Sequence, residues 1–340
     1  MPDCSIERWI VSKSALVSWR GGRIEITSPL SGATFETDNP DVLHVLHAFA
    51  SARPIEEVVR MPRRYPPEKI ATCIYELIEA GLLTRASEAD PMTAHYWELS
   101  ALSFHSKSRH PGLPATRSHN TAPVATPRSH NALLLDRPES GQERDFVDVL
   151  ESRHSWRSWP KRTIARKTFS NLLWMSARNR DLAGAGVDDG CVNRPYPSGG
   201  SAYSLELYPV IAPRAVESIV AGVYRYLPES HGLELLSTAA THYLPFLEAA
   251  GRSASAEPPP VVLVVTSRFA RQGEVYGDLA YSLVLKEVGA LFQTLYLVAE
   301  YLELAPCALG GGTPDDLHSS LCETTHVAEP VVGEFIVGPR

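Results

Sequence analysis

The chain has 340 residues, 44% hydrophobic and 21% charged, enough for two domains with buried cores. A formal net charge of −7 excludes a protein built mainly to neutralise nucleic-acid phosphates, so no nucleic-acid partner is expected. The five cysteines (Cys4, Cys73, Cys191, Cys307, Cys322) contain no C-x-x-C pair, which argues against a disulfide framework or structural zinc; no metal site and a reducing, cytoplasmic setting are expected.

The opening MPDCSIERWI lacks a basic start followed by an apolar run, so no signal peptide is read there. Residues 1–88 form one small predicted unit. ALVSWRGGRIEITS is a hairpin about Gly21-Gly22. DNPDVLHVLHAFA starts a helix with Asn39 as N-cap and Pro40 in the first turn, and Val42, Leu43, Leu46 and Phe49 share a face. A second helix, PPEKIATCIYELIEAGLL, aligns Ile70, Ile74, Leu77 and Ile78 and stops at Gly81. Strands followed by helices give a winged-helix-like order. Residues 1–86 hold ten Lys/Arg against eleven Asp/Glu, too acidic for a DNA reader. Peptide docking at a sheet edge and a purely structural role are the two readings left.

A lead-in spans 89–105. Residues 106–141, rich in Pro, Ser and His, read as a flexible linker with a short imperfect repeat around His119 and His130. Residues 142–340 read as mixed helix and strand. TFSNLLWMSAR is helical, and ESIVAGVYRYLPESHGLELL is a hairpin turning at Pro228 and Gly232. PPPVVLVVTSRF is a strand buried on both faces. A long helix covers Glu287 to Leu302, and PVVGEFIVGPR closes the fold as a strand. The stretch Tyr281–Leu304 is apolar but interrupted by Lys286, Glu287, Glu300 and Glu303, so a core helix is expected and no membrane partner.

Familiar motifs are missing: no P-loop, no H-E-x-x-H, no G-x-S-x-G, and Gly184 and Gly186 give only G-x-G after a helix. His44 and His47 lie three apart on a helix and read as solvated or core-edge histidines. Three pieces remain. SRHSWRSW sets Arg153, Ser155 and Arg157 at alternate positions, where two forked guanidinium groups and a hydroxyl suit a phosphate; a solvated loop is the plain alternative. PSGG (Pro197, Ser198, Gly199, Gly200) and ALGGGT (Ala308 to Thr313) each offer backbone without Cβ atoms to a flat ring, or else a tight turn.

From Arg144 onward the chain resembles the nitroreductase-like flavoenzymes, and within them the SagB-type dehydrogenases that include azoline oxidases. The resemblance rests on SRHSWRSW, RPYPSGGSAYSLELY, GVYRYLPESHGLELL, VYGDLAYSLVLKEVGALFQTLYLVAEYLELAPCALGG and VVGEFIVG, in that order. It implies an α+β fold: a nitroreductase-like mixed sheet with flanking helices, here preceded by the winged-helix-like unit. It implies a homodimer with FMN at the subunit interface, oxidising an azoline-like or amino-acid-derived unit in peptide natural-product biosynthesis. The implied partners are a peptide or carrier-bound substrate and a cyclodehydratase or synthetase. By resemblance Arg153, Ser155 and Arg157 contact phosphate and ribityl. Pro197, Ser198, Gly199 and Gly200 form one ring-contact loop, and Leu309, Gly310 and Gly311 form the other. Gln293 matches an interface glutamine. Tyr276 is the implied catalytic acid/base. The chain departs from relatives in having Val275 where they carry a lysine before the tyrosine, and Leu279, Ser282 and Ala290 where they often carry Arg, Arg and His. An NAD(P)H-dependent reductase and a degenerate peptide-binding scaffold are the alternatives that these departures leave open.

Overall fold

The computed structural model describes residues 7–12, 15–28, 33–61, 65–87, 99–108, 132–138, 144–180, 193–312, 318, 321–322, 324–325 and 328–340. The histidine repeat (His119, His130), Gly184, Gly186 and Thr313 lie outside them. The chain divides into two compact units, Met1–Leu113 and Pro114–Arg340.

In the first unit β1 (Trp9–Val11) pairs antiparallel with β5 (Leu83–Arg85). A three-stranded antiparallel sheet runs β2 (Leu16–Arg20), β3 (Arg23–Thr27), β4 (Thr34–Thr37). The β2–β3 turn uses Gly21 and Gly22 at φ 56° and 83°, the left-handed pair that a two-residue hairpin needs. Helices α1 (Asp41–Ala48), α2 (Ile55–Val59) and α3 (Pro67–Glu79) follow, then α4 (Leu99–Ser108) beyond β5. Asn39 caps α1 as expected, its Oδ1 accepting the Asp41 N–H at 3.0 Å. Gly81, at φ 67°, ends α3. Ile24, Ile26, Val45, Phe49, Ile74 and Leu77 fill the core. The α1 face differs slightly from expectation: Val45 is buried and Leu43 half-buried, and on α3 Ile78 is half-buried. The short elements β1, β4, β5 and α2 are too brief to show a period in sequence.

The second unit begins with β6 (Leu133–Leu134), α5 (Phe146–Ser152) and α6 (Arg166–Ala177). Strands β7 (Leu205–Ile211), β8 (Gly222–Leu227) and β9 (Gly232–Ser237) come next. After α7 (Ala240–Ala254) run β10 (Val261–Ser267), α8 (Ala270–Tyr276), α9 (Ala280–Tyr301), β11 (Leu304–Ala308) and β12 (Val331–Pro339). Seven strands order as β11-β12-β10-β7-β8-β9-β6. The α+β class is as expected, with one correction. Every named strand pair is antiparallel, not mixed, and an isolated Ile164–Val216 bridge supplies the parallel contact. A second difference concerns the linker. Leu133 and Leu134 lie within 106–141 yet pair with Leu233 and Gly232, and Leu135 is buried, because this apolar trio finds an open sheet edge.

Both faces of the sheet are covered. Val261, Leu263 and Val265 of β10 join the core that holds α6 and α9, while Val262 and Val264 join the core under α7. This is why β10 is a continuous apolar run. Helix α9 starts seven residues before the expected Glu287. The stretch 270–301 is long and apolar enough to cross a membrane by composition. It is broken at Gly277 (φ 50°), and its buried Val284, Val288, Leu291 and Leu295 pack into the core of the sheet.

Candidate functional site

Asp145 caps α5, its Oδ1 accepting the Val147 and Asp148 N–H groups at 2.8 and 3.3 Å, and the chain then leaves the helix at Arg153. The extended segment runs beside β11, with the Trp156 N–H donating to the Pro306 carbonyl at 2.8 Å. Ser155 Oγ lies 2.7 Å from the Tyr296 hydroxyl of α9, and that hydroxyl also accepts the Ala308 N–H at 2.8 Å. The Arg153 guanidinium stacks 5.1 Å from the Tyr296 ring centroid. Tyr296 therefore ties the arginine–serine segment to the start of the second glycine loop. Arg157 is exposed. Burial pushes the nearby Cys307 thiol pKa up, partly offset by the Arg157 charge. Leu309 is buried and donates its N–H to the Glu334 carbonyl at 3.0 Å. Gly310 and Gly311 are exposed, with open space where a Cβ would stand. At Gly312 a Cβ would meet the Glu334 carboxyl carbon at 2.9 Å.

The first loop gathers different residues. Pro197 is exposed, and Ser198 and Gly199 are half-buried. A Cβ on Gly199 would rest 3.4 Å from Leu283 of α9, an ordinary contact. Gly200 has φ 60°, and a Cβ there would overlap the Tyr276 hydroxyl. Its glycine is thus required by the chain itself, whatever else the loop holds. Ser201 (φ 56°) and Tyr203 (φ 42°) share the left-handed region, an uncommon conformation for a bulky side chain. The strain is held by hydrogen bonds: Ser198 Oγ accepts the Tyr203 N–H at 2.9 Å, and Arg271 donates to the Tyr203 carbonyl at 3.0 Å. Tyr276 is the last residue of α8, and the non-helical Gly277 behind it aims the phenol at the loop.

Polar groups lie buried beside this loop. Arg194, 5% exposed, donates to the Tyr196 hydroxyl at 3.0 Å and to the Leu205 carbonyl at 2.6 Å. Burial pushes the Tyr196 pKa up to about 12. Glu287 of α9, 2% exposed, accepts from Ser204 Oγ at 3.1 Å and Gln272 Nε2 at 3.4 Å. Burial raises its pKa, against the pull of Ser204, Ser198, Arg194 and Gln272.

The expected site residues thus fall into two groups along α9. Pro197, Ser198, Gly199, Gly200 and Tyr276 meet near Leu283. Arg153 and Ser155 meet at Tyr296, which also holds Ala308 at the head of the segment Leu309, Gly310 and Gly311; the Gly311 carbonyl accepts from Ser253 of α7, and Arg157 lies beside Cys307. Gln293 is exposed on α9, one turn before Tyr296. Sequence reasoning missed Tyr296 and the Glu287 cluster. Glu287 did leave a signal, being the charged residue in the buried stripe Ala280, Val284, Val288 and Leu291.

The nitroreductase family model matches residues 150–338, more than half of the chain. MJ1384 of Methanocaldococcus jannaschii, a protein named as a nitroreductase, is 30% identical over 181 residues, covering 53% of this chain and 85% of its own. The microcin B17-processing protein McbC of Escherichia coli is 31% identical over 222 residues, covering 57% of this chain and 82% of its own. A chain of the E. coli microcin synthetase McbBCD complex with truncated pro-MccB17 bound aligns at TM-score 0.46 and 22% identity, over 75% of this chain and 99% of that one. The chain belongs to the nitroreductase family, in the SagB-type branch that its motifs resemble.

Proposed function

We propose that this protein is an FMN-dependent oxidoreductase that dehydrogenates an azoline-like or amino-acid-derived unit on a peptide. The observation that carries the redox reading is the pair of bare-backbone loops, with an arginine–serine segment locked to one of them through Tyr296. These residues fit a flavin mononucleotide. Arg153 and Arg157 supply fixed forked donors for a phosphate, Ser155 a hydroxyl for ribityl, and Gly310 and Gly311 an open backbone for the ring edge. When bound, FMN supplies an acceptor for a hydride.

The chain's own residues bind and position. Ser198, Gly199 and Gly200 present the first loop, and Tyr276, overhanging Gly200, is assigned the proton that leaves the substrate. Val275 offers no amine in the lysine's place, so Tyr276 does this without a neighbouring cation in sequence. Two features support a homodimer. The site residues form two groups along one helix, and α5 and α9 expose Phe146, Val147, Leu150, Tyr281 and Leu285. Likeness to McbC supports a peptide substrate and a synthetase partner. In the first unit a groove of about 740 Å³ has Val42, Val45 and Ile70 on its floor and His44, His47 and Lys69 on its rim, which supports peptide docking there.

The test is to incubate the FMN-loaded protein with an azoline-bearing peptide in air and follow peptide mass. Loss of two hydrogens per ring is the expected result. NAD(P)H consumption without peptide oxidation identifies a reductase instead, and failure to bind FMN identifies a scaffold.

A further inference from the structure

The two ends of the first glycine loop meet at one buried side chain. Tyr196 stands just before Pro197, and Leu205 begins β7 just after the loop. Arg194 donates from its Nη1 to both, to the Tyr196 hydroxyl at 3.0 Å and to the Leu205 carbonyl at 2.6 Å. Its Nε donates to Asn179 Oδ1 at 3.4 Å, in the segment that leaves α6, and the Asn179 N–H is held in turn by the Pro228 carbonyl at 3.1 Å. The guanidinium also lies 5.9 Å from the Tyr203 ring centroid, and the Tyr196 ring meets the Tyr203 ring edge-on at 5.7 Å.

This packing explains how a bulky residue is kept at φ 42°. Tyr203 is fixed through its ring by Arg194 and Tyr196, through its N–H by Ser198 Oγ, and through its carbonyl by Arg271. A buried cation is costly unless its N–H groups are bonded. The acceptors that Arg194 finds are all uncharged: a hydroxyl, a backbone carbonyl and an amide oxygen. They come from three separate segments, which suits a planar fork of donors and not the point donor of a lysine.

We propose that Arg194 is the positioning residue of the first glycine loop. Its fork, and not its charge, ties the two ends together and keeps the backbone of Ser198, Gly199 and Gly200 in one conformation against the Tyr276 hydroxyl. The consequence for FMN binding rests on the flavin reading; the loop-holding does not.

The experiment compares the purified protein with Tyr196→Phe, Arg194→Lys and a control, Val262→Ala. The control leaves a gap in the core under α7, whereas Tyr196, Tyr203 and Leu205 belong to the core on the other face of the sheet. The amides of Ser201, Ala202 and Tyr203 report the loop, because they donate within it to the Ser198 carbonyl, the Gly199 carbonyl and Ser198 Oγ. Their hydrogen exchange is expected to rise about tenfold in Tyr196→Phe and Arg194→Lys, the effect of losing one buried hydrogen bond, and to stay at the parent level in Val262→Ala. Added FMN is expected to bind about tenfold more weakly to Tyr196→Phe and Arg194→Lys than to the parent. Parent-like loop exchange in Tyr196→Phe overturns the proposal, and so does parent-like exchange in Arg194→Lys, which makes the charge sufficient. An equal rise in Val262→Ala also overturns it, because the loop then opens only with the whole fold. A loosened loop with unchanged FMN affinity overturns the consequence for FMN. A parent that binds no FMN overturns the flavin reading instead, and the exchange of the loop amides still decides on Arg194. Should Arg194→Lys not fold, Tyr196→Phe and the control decide.

Discussion

His231 is 1% exposed and bonded on both ring nitrogens, to the Tyr226 hydroxyl at 2.8 Å and to Ser170 Oγ at 3.0 Å. Burial lowers its pKa to about 4, only partly offset by the Asp136 carbonyl. The folded pKa lies below the unfolded one, so the unfolded chain takes up the proton first as pH falls. Stability from this group is full above about pH 6.5 and declines toward pH 4, by up to about 3 kcal/mol. Urea midpoints between pH 7 and pH 5 should show this slope, and His231→Gln should flatten it. The two glycine loops separate fold from binding at single positions. Gly200→Ala forces a side chain into φ 60° against Tyr276 and should lower thermal stability. Gly310→Ala meets open space, so its effect should fall on FMN retention and not on melting. The sequence shows both glycine pairs alike; the dihedral angle that distinguishes them is invisible without neighbours.

Elements were legible where a period runs long enough. The β10 run VVLVVTS, the β8–β9 hairpin and the amphipathic α3 follow from local pattern, because each buries one or both faces at a fixed repeat. Short pairings such as β1 with β5 join residues far apart in the chain and leave no local trace. The same holds for Tyr296. Its place on α9 was plain, but its role depends on Ser155 and Ala308, which approach from distant segments. Tyr296→Phe leaves the Ala308 N–H and Ser155 without that partner and should cost about 1–3 kcal/mol in chemical denaturation. It should also weaken FMN retention, because the arginine–serine segment and the second glycine loop are no longer tied together.

At the scale of the molecule, the sheet is sealed on both faces while α9 keeps an apolar outer stripe that includes Tyr281 and Leu285. The two groups of site residues lie along that helix, and a second copy set against it would bring a cofactor site to the interface. The central claim, that the loops and arginines hold FMN, is tested most directly by the absorbance spectrum of the purified protein, before and after denaturation. The account predicts a two-banded flavin spectrum and release of FMN into the supernatant. A colourless protein that cannot be reconstituted with FMN would contradict it and leave the fold as a peptide-binding scaffold.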